Sequence, residues 1–204
     1  MTVSTAIIAL AQRLNVPAAH LGAVVAVECA GQGMLDGRPV IRLEVHLLWR
    51  YTQDAARDQV DARFRVGGTK PWEGHTWYTG SKWVPLHRSG RAGQAREWEA
   101  YACAKAIDPV ATCRATSWGL GQVLGDYKTL GYVTPDELEA AAYTDAGQLD
   151  LVARYLRSRP GLIEYLRVGD WRTFAYVYNG PGKVEEYAAK LTQAVIDISK
   201  GSST

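Results

Sequence analysis

The chain has 204 residues, 47% hydrophobic and 22% charged, with a formal net charge of +2. That length suits one domain with a proper core, and the composition excludes a disordered chain. The charge is too small to indicate a nucleic-acid binder, yet it leaves the protein free to approach a polyanionic surface.

Taken in chain order, most segments read as helix. A first helix is expected over residues 4–14. A second starts near Asn15, which can cap it, has Pro17 in its first turn and is stopped by Gly31. At residues 40–46 the period changes. Ile41, Leu43 and Val45 alternate with Arg42, Glu44 and His46, as on a strand with one apolar and one polar face. Residues 64–94, rich in Gly, Pro and Trp, read as an irregular region that could hold a hairpin. Helix resumes at about 94–107. Asp108-Pro109 has the form of an N-cap followed by a first-turn proline and opens a helix to about Thr116. Thr134-Pro-Asp-Glu137 has capping-box spacing and starts another, and Leu149, Val152, Ala153 and Leu156 mark the next. Trp171, Phe174, Ala175 and Tyr178 share one helical face. So do Val184, Tyr187, Ala188, Leu191, Val195 and Ile198 in an amphipathic last helix. The expected fold is α+β and mainly helical, one domain over 1–200 with a small β element near 40–80 and a frayed tail at 201–204.

Three cysteines, Cys29, Cys103 and Cys113, are an odd number without metal-type pairing and read as reduced core thiols. The four histidines, 20, 46, 75 and 87, are scattered without ligand spacing, so no metal and no cofactor is expected. Met1-Thr-Val-Ser4 carries no positive charge, and the apolar run from Ala6 to Ala11 is short and followed by Gln12 and Arg13. No signal peptide and no membrane-spanning stretch are therefore expected, and synthesis in the cytoplasm follows.

Glu28 is the residue that departs from its surroundings. It lies three, four and seven positions after Val25, Val24 and Leu21, on the helix face that should be buried. A carboxyl there costs several kcal/mol of desolvation unless it is paired or protonated. A raised pKa lets such a group give a proton near neutrality, which glycoside cleavage requires. A structural ion pair with an Arg or Lys is the alternative. Glu44 on the polar strand face could partner that acid or could simply be solvated. Ser117-Trp-Gly-Leu-Gly-Gln122 could orient an acid or bind a sugar amide, or serve as a turn between helices. Tyr178-Asn-Gly-Pro-Gly182, taken alone, is a helix stop.

The order of these segments is more specific than any one of them. A Glu ending an apolar helix, then Ser-x-Gly-Leu-x-Gln, then Tyr-Asn-Gly resembles the motif series of goose-type lysozymes and lytic transglycosylases. More closely, the chain resembles the N-acetylmuramidase catalytic domain of bacteriophage endolysins. The resemblance is carried by Ala23-Val-Val-Ala-Val-Glu-Cys-Ala-Gly-Gln-Gly33, Asp36-Gly-Arg-Pro-Val-Ile-Arg-Leu-Glu-Val-His46, Ser117 to Gly125, and Asp170 to Gly182. It implies a lysozyme-like fold and hydrolysis of the bond between N-acetylmuramic acid and N-acetylglucosamine in peptidoglycan. Glu28 then matches the catalytic acid and Glu44 a second carboxylate. His46, Ser117, Trp118, Gln122, Tyr178 and Asn179 match the cleft. Cys29 departs from the Ser that usually follows the catalytic Glu, and Trp72, Trp77, Tyr78 and Trp83 match nothing in the pattern and read as packing. The resemblance also implies a monomer that acts on glycan strands, without nucleic acid or membrane insertion, after release from the cytoplasm through a holin pore or by another route. A lytic transglycosylase, and a wall-binding module without chemistry, are the alternatives.

Overall fold

The computed structural model describes residues 3–29 and 32–201, with the side chain of Cys29 left out. The expected stop at Gly31 and residues 202–204 of the expected tail lie outside the described residues, while Gly201, expected to begin that tail, is helical. Helix α1 (Thr5–Leu14) begins where the Ser4 hydroxyl accepts the Ile7 N–H. It ends at Asn15, which takes the left-handed conformation (φ 52°) and donates its N–H to Gln12. Asn15 therefore closes the first helix and does not cap the second, a correction that follows from asparagine's tolerance of that conformation. Helix α2 (Ala18–Cys29) starts instead on the Pro17 carbonyl. It is apolar all round, as suits a helix buried at the centre of the molecule, and Leu21, Ala23 and Val24 are fully buried in it.

A small hairpin, β1 (Met34–Leu35) with β2 (Arg38–Pro39), leads into β3 (Ile41–Leu43). The strand stops there. Glu44 is the N-cap residue of α3 (Val45–Tyr51), so His46 stands on a helix and not on a strand as its alternation suggested. Helix α4 (Asp54–Asp61) follows. The region read as irregular then folds into an antiparallel sheet of β4 (Phe64–Val66), β5 (His75–Tyr78) and β6 (Trp83–Pro85). Trp77 is buried there, and Arg65 lies over Trp83, which pairs with Tyr78. Packing is thus the role of these three aromatics.

Helix α5 (Gly90–Ile107) precedes α6 (Pro109–Arg114), where the Asp108 carboxylate caps the Ala111 N–H. Strands β7 (Thr116–Trp118) and β8 (Val123–Leu124) flank a 3-10 turn, Gly119–Gly121. Helices α7 (Pro135–Ala142), α8 (Asp145–Ser158), α9 (Leu162–Val168), α10 (Trp171–Asn179) and α11 (Val184–Gly201) complete the fold. Thr134 caps α7 as expected, its hydroxyl accepting the Glu137 N–H. The Glu137 carboxylate, however, accepts the N–H of Val133, one residue before the cap, so the capping box is not closed.

The core has two parts. The larger joins α1, α2, α8, α10 and α11 through Leu14, Leu21, Val24, Val152, Phe174 and Leu191. The smaller joins α3, α5 and the three-stranded sheet through Leu43, Leu48, Phe64, Trp77 and Ala104. The sheet β3-β7-β8 runs along their junction. The described cysteine thiols, Cys103 and Cys113, are free, and Cys113 is buried. Among the described residues, no helix is long and apolar enough to cross a membrane.

Candidate active site

Glu28 sits in the last turn of α2. Val24 and Val25 before it are buried, as the helical spacing predicted. Burial pushes its carboxyl from the ordinary 4.5 up to about 7, against hydrogen bonds from Tyr187 and Asn179 that favour the ionised form. Tyr187 donates its hydroxyl to Glu28 Oε1 from α11, which packs along α2. Asn179 arrives from the end of α10, where Gly180 turns the chain with φ at 83°. Among the described residues, the partners of Glu28 are therefore a tyrosine and an asparagine rather than a cation. That leaves the acid its proton near neutrality and speaks against a structural ion pair.

Two cleft lobes meet at Gln122. One, of about 340 Å³, is lined by Glu28, Gln32, Arg42, His87 and Gln94; the other, of about 260 Å³, by Glu44, His46, Ser117, Tyr178 and Asn179. The register of β3 with β7 decides which side chains reach the cleft. Arg42 is opposite Ser117, while Ile41 is opposite Trp118 and Leu43 opposite Thr116. Alternation along a strand then turns Ser117 and Arg42 outward and Trp118 inward. Trp118 is only 1% exposed and packs edge-on against Tyr101, so its expected place in the cleft is corrected: it is a core residue. Tyr178 is also mostly buried, with its hydroxyl donated to the Gly121 carbonyl. It holds the turn in place beside the cleft.

The two glycines of the turn are there for space. A Cβ on Gly119 (φ 60°) would lie 2.4 Å from Gln148 Cδ, and one on Gly121 would lie 2.5 Å from Val152 Cγ2. Gln148, itself buried, accepts the Leu120 N–H and donates to the carbonyls of Gly33 and Ala142, tying the turn to the loop after α2. Gly121→Ala is expected to lower stability by about 1–3 kcal/mol through overpacking, with the unfolding midpoint in urea as the measurement. Gln122 has φ at 43° and donates its amide to the carbonyls of Gly119 and Val40, which closes the turn at the meeting point of the lobes.

The outer edge of β3 is satisfied by side chains of α5. Gln94 accepts the Ile41 N–H and donates to the Ile41 carbonyl, in the manner of a neighbouring strand. Glu97, 1% exposed, accepts the N–H groups of Leu43 and His87 and pairs with the His87 ring. These contacts keep a buried edge free of unpaired backbone groups. Glu44 follows directly. Its Oε1 accepts Arg42 Nε at 2.6 Å, and its Oε2 faces His46 Nδ1 at 3.7 Å and His75 Nδ1 at 3.6 Å. Two of the four histidines read as scattered thus face one carboxylate, and a third, His87, joins them through His75 at 2.6 Å. The fourth, His20, lies elsewhere and donates its Nδ1–H to the Leu166 carbonyl oxygen at 2.8 Å.

With this geometry in place, the match of the N-acetylmuramidase family model to residues 17–198 covers every element that builds the cleft. The chain belongs to the N-acetylmuramidase family. The Burkholderia AP3 phage endolysin, a solved structure, is similar to it at 32% identity over 97% of this chain and 70% of that one, with a TM-score of 0.71. No curated protein matches it. The muramidase is thus a peptidoglycan-directed glycoside hydrolase with a lysozyme-like, mainly helical fold, as the motif series implied.

Sequence reasoning missed Tyr187, Gln148, Gln94 and Glu97 in this muramidase. Tyr187 was counted only as part of an apolar stripe. The one available signal was that a buried tyrosine hydroxyl needs a partner. Trp72 was read as packing, but it is 52% exposed and lines the lobe of Glu44 and Ser117.

Proposed function

We propose that the protein cleaves the β-1,4 bond between N-acetylmuramic acid and N-acetylglucosamine, with Glu28 as the general acid. The observation that carries this reading is a carboxyl whose pKa is raised to about 7 at the wall of a cleft, held by a tyrosine and an asparagine rather than by a cation. Protonated Glu28 gives its proton to the glycosidic oxygen as the bond to the sugar breaks through an oxocarbenium-like state. Glu44 belongs to the adjoining lobe, where Arg42 holds Oε1 and two imidazoles face Oε2. This supports a fixed group of the cleft wall over a base that activates water. Ser117, Gln122 and Asn179 border the path of the glycan at the junction of the lobes, with His46 and Tyr178 beside them. The protein acts as a monomer on glycan strands, and its setting is bacteriolysis of the endolysin type, with delivery to the wall through a holin pore.

The test is digestion of purified peptidoglycan with identification of the new sugar ends by mass spectrometry. Reducing N-acetylmuramic acid ends are expected. Anhydro-muramic ends would replace hydrolysis with transglycosylation, and reducing N-acetylglucosamine ends would assign cleavage to the other glycosidic bond.

A further inference from the structure

The strongest feature outside the chemistry of Glu28 is the group of side chains around Glu44. His75, on β5, has a fully buried side chain, and its Nε2 lies 2.9 Å from the Pro71 carbonyl oxygen. A carbonyl only accepts, so Nε2 carries the proton and Nδ1 of the neutral ring keeps its lone pair. His87, just after β6, has Nδ1 3.0 Å from the buried carboxylate of Glu97. By the same reasoning its Nδ1 is protonated and its Nε2 carries the lone pair. These two lone pairs point at each other across 2.6 Å. Glu44 Oε2 lies 3.6 Å from His75 Nδ1, is buried, and has no hydrogen-bond donor. Two lone pairs and an unsatisfied carboxylate oxygen, all within 4.8 Å of one another, form a cluster of acceptors that a cation would satisfy.

We propose that Glu44, His75 and His87 bind a divalent transition-metal ion of the zinc type. Two imidazole nitrogens and one carboxylate oxygen are a donor set that zinc takes, with bonds of about 2.0–2.2 Å. Tetrahedral ligands at such bond lengths stand roughly 3.3–3.5 Å apart, so on binding the Glu44–His75 edge of 3.6 Å closes slightly and the His75–His87 edge of 2.6 Å opens. The outer partners are those a metal site uses: a carboxylate behind one imidazole and a main-chain carbonyl behind the other fix tautomer and ring orientation. His87 has φ at 61°, uncommon for a residue with a Cβ, and Glu97 holds it there through its N–H. His46 Nδ1, buried and without a partner 3.7 Å from Glu44 Oε2, stands beside the open position. The ligands come from the start of α3, from β5 and from the segment after β6, so the ion staples the three-stranded sheet to the wall of the cleft. Glu44 then serves the metal and the shape of the cleft.

The test strips the whole protein with a chelator and titrates it with zinc by calorimetry and with cobalt(II) by visible absorption. One equivalent of zinc, a tetrahedral cobalt spectrum and a melting temperature raised by several degrees on zinc addition are expected. His87→Gln is expected to abolish binding, and Glu97→Gln to weaken it about 10- to 100-fold, as loss of an outer partner does. Should either variant fail to fold, the imidazole nitrogen resonances of the native protein decide: zinc must shift Nδ1 of His75 and Nε2 of His87. No binding, or binding with those two nitrogens unmoved, overturns the proposal and leaves a proton shared between the rings. Glu28→Gln is expected to bind zinc as the native protein does, so failure of the metal site and failure of the assigned acid are told apart.

Discussion

Glu28→Gln is expected to lose glycan cleavage by at least about 100-fold and, at pH 8, to be more stable than the native protein. Both effects have one cause. The carboxyl has an ordinary pKa of 4.5 and a value of about 7 in the fold, because burial disfavours its ionised form. The folded state therefore holds a proton that the unfolded chain has released between those two pH values, and stability falls as pH rises through the window. The stabilising difference is complete below 4.5 and lost above about 7, where the gap between the two values amounts to roughly 3 kcal/mol. Glutamine keeps the shape and the hydrogen bonds to Tyr187 and Asn179 but never ionises. Urea unfolding should therefore give nearly equal midpoints for variant and parent at pH 4, and a gain of about 2–3 kcal/mol for the variant at pH 8. The native protein's activity should fall above pH 7 as Glu28 gives up its proton. Equal stability at pH 8 would show that Glu28 is not desolvated, and with that its role as an acid would go.

The two positions of the site differ in how they could be read beforehand. Glu28 was legible because a carboxylate on the Leu21–Val24–Val25 face contradicts the helix around it, and a helix contradicts itself only at a cost. Glu44 was legible as a candidate, but its setting was not. The alternation from Ile41 to His46 continues past the point where the strand ends, since Val45 and Leu48 are buried by helix α3 and satisfy a helical spacing as well. The segment 64–94 concealed a sheet because its strands are only three or four residues long, too short for a period to emerge. The gathering of His46, His75 and His87 depends on that sheet, on the left-handed turn at His87 and on α5 behind it. None of these leaves a spacing in the sequence. Trp118 shows the opposite error: the resemblance marked the whole segment as cleft, while strand alternation sends each second side chain into the core.

Tyr187→Phe is expected to move the alkaline limb of the pH–activity profile upward by about 1–2 pH units, and to reduce turnover by about 10-fold. The Tyr187 hydroxyl donates to Glu28 Oε1 and so favours the ionised carboxyl, working against burial. Its own pKa is held far above the ordinary 10 by burial and by the neighbouring Glu28, so it remains a donor throughout the working range. Phenylalanine removes the donor and keeps the ring against Tyr178, where the two rings stack with centroids 6.5 Å apart. Glu28 then holds its proton to higher pH, which alone would extend activity upward. At the same time Oε1 loses the contact that aims the carboxyl, and a misdirected acid transfers its proton less often. The two changes separate in the measurement, since the first shifts the limb and the second lowers the plateau. A purely structural tyrosine would give a lower plateau or a less stable protein with the limb unmoved, and that result would remove Tyr187 from the tuning of the acid.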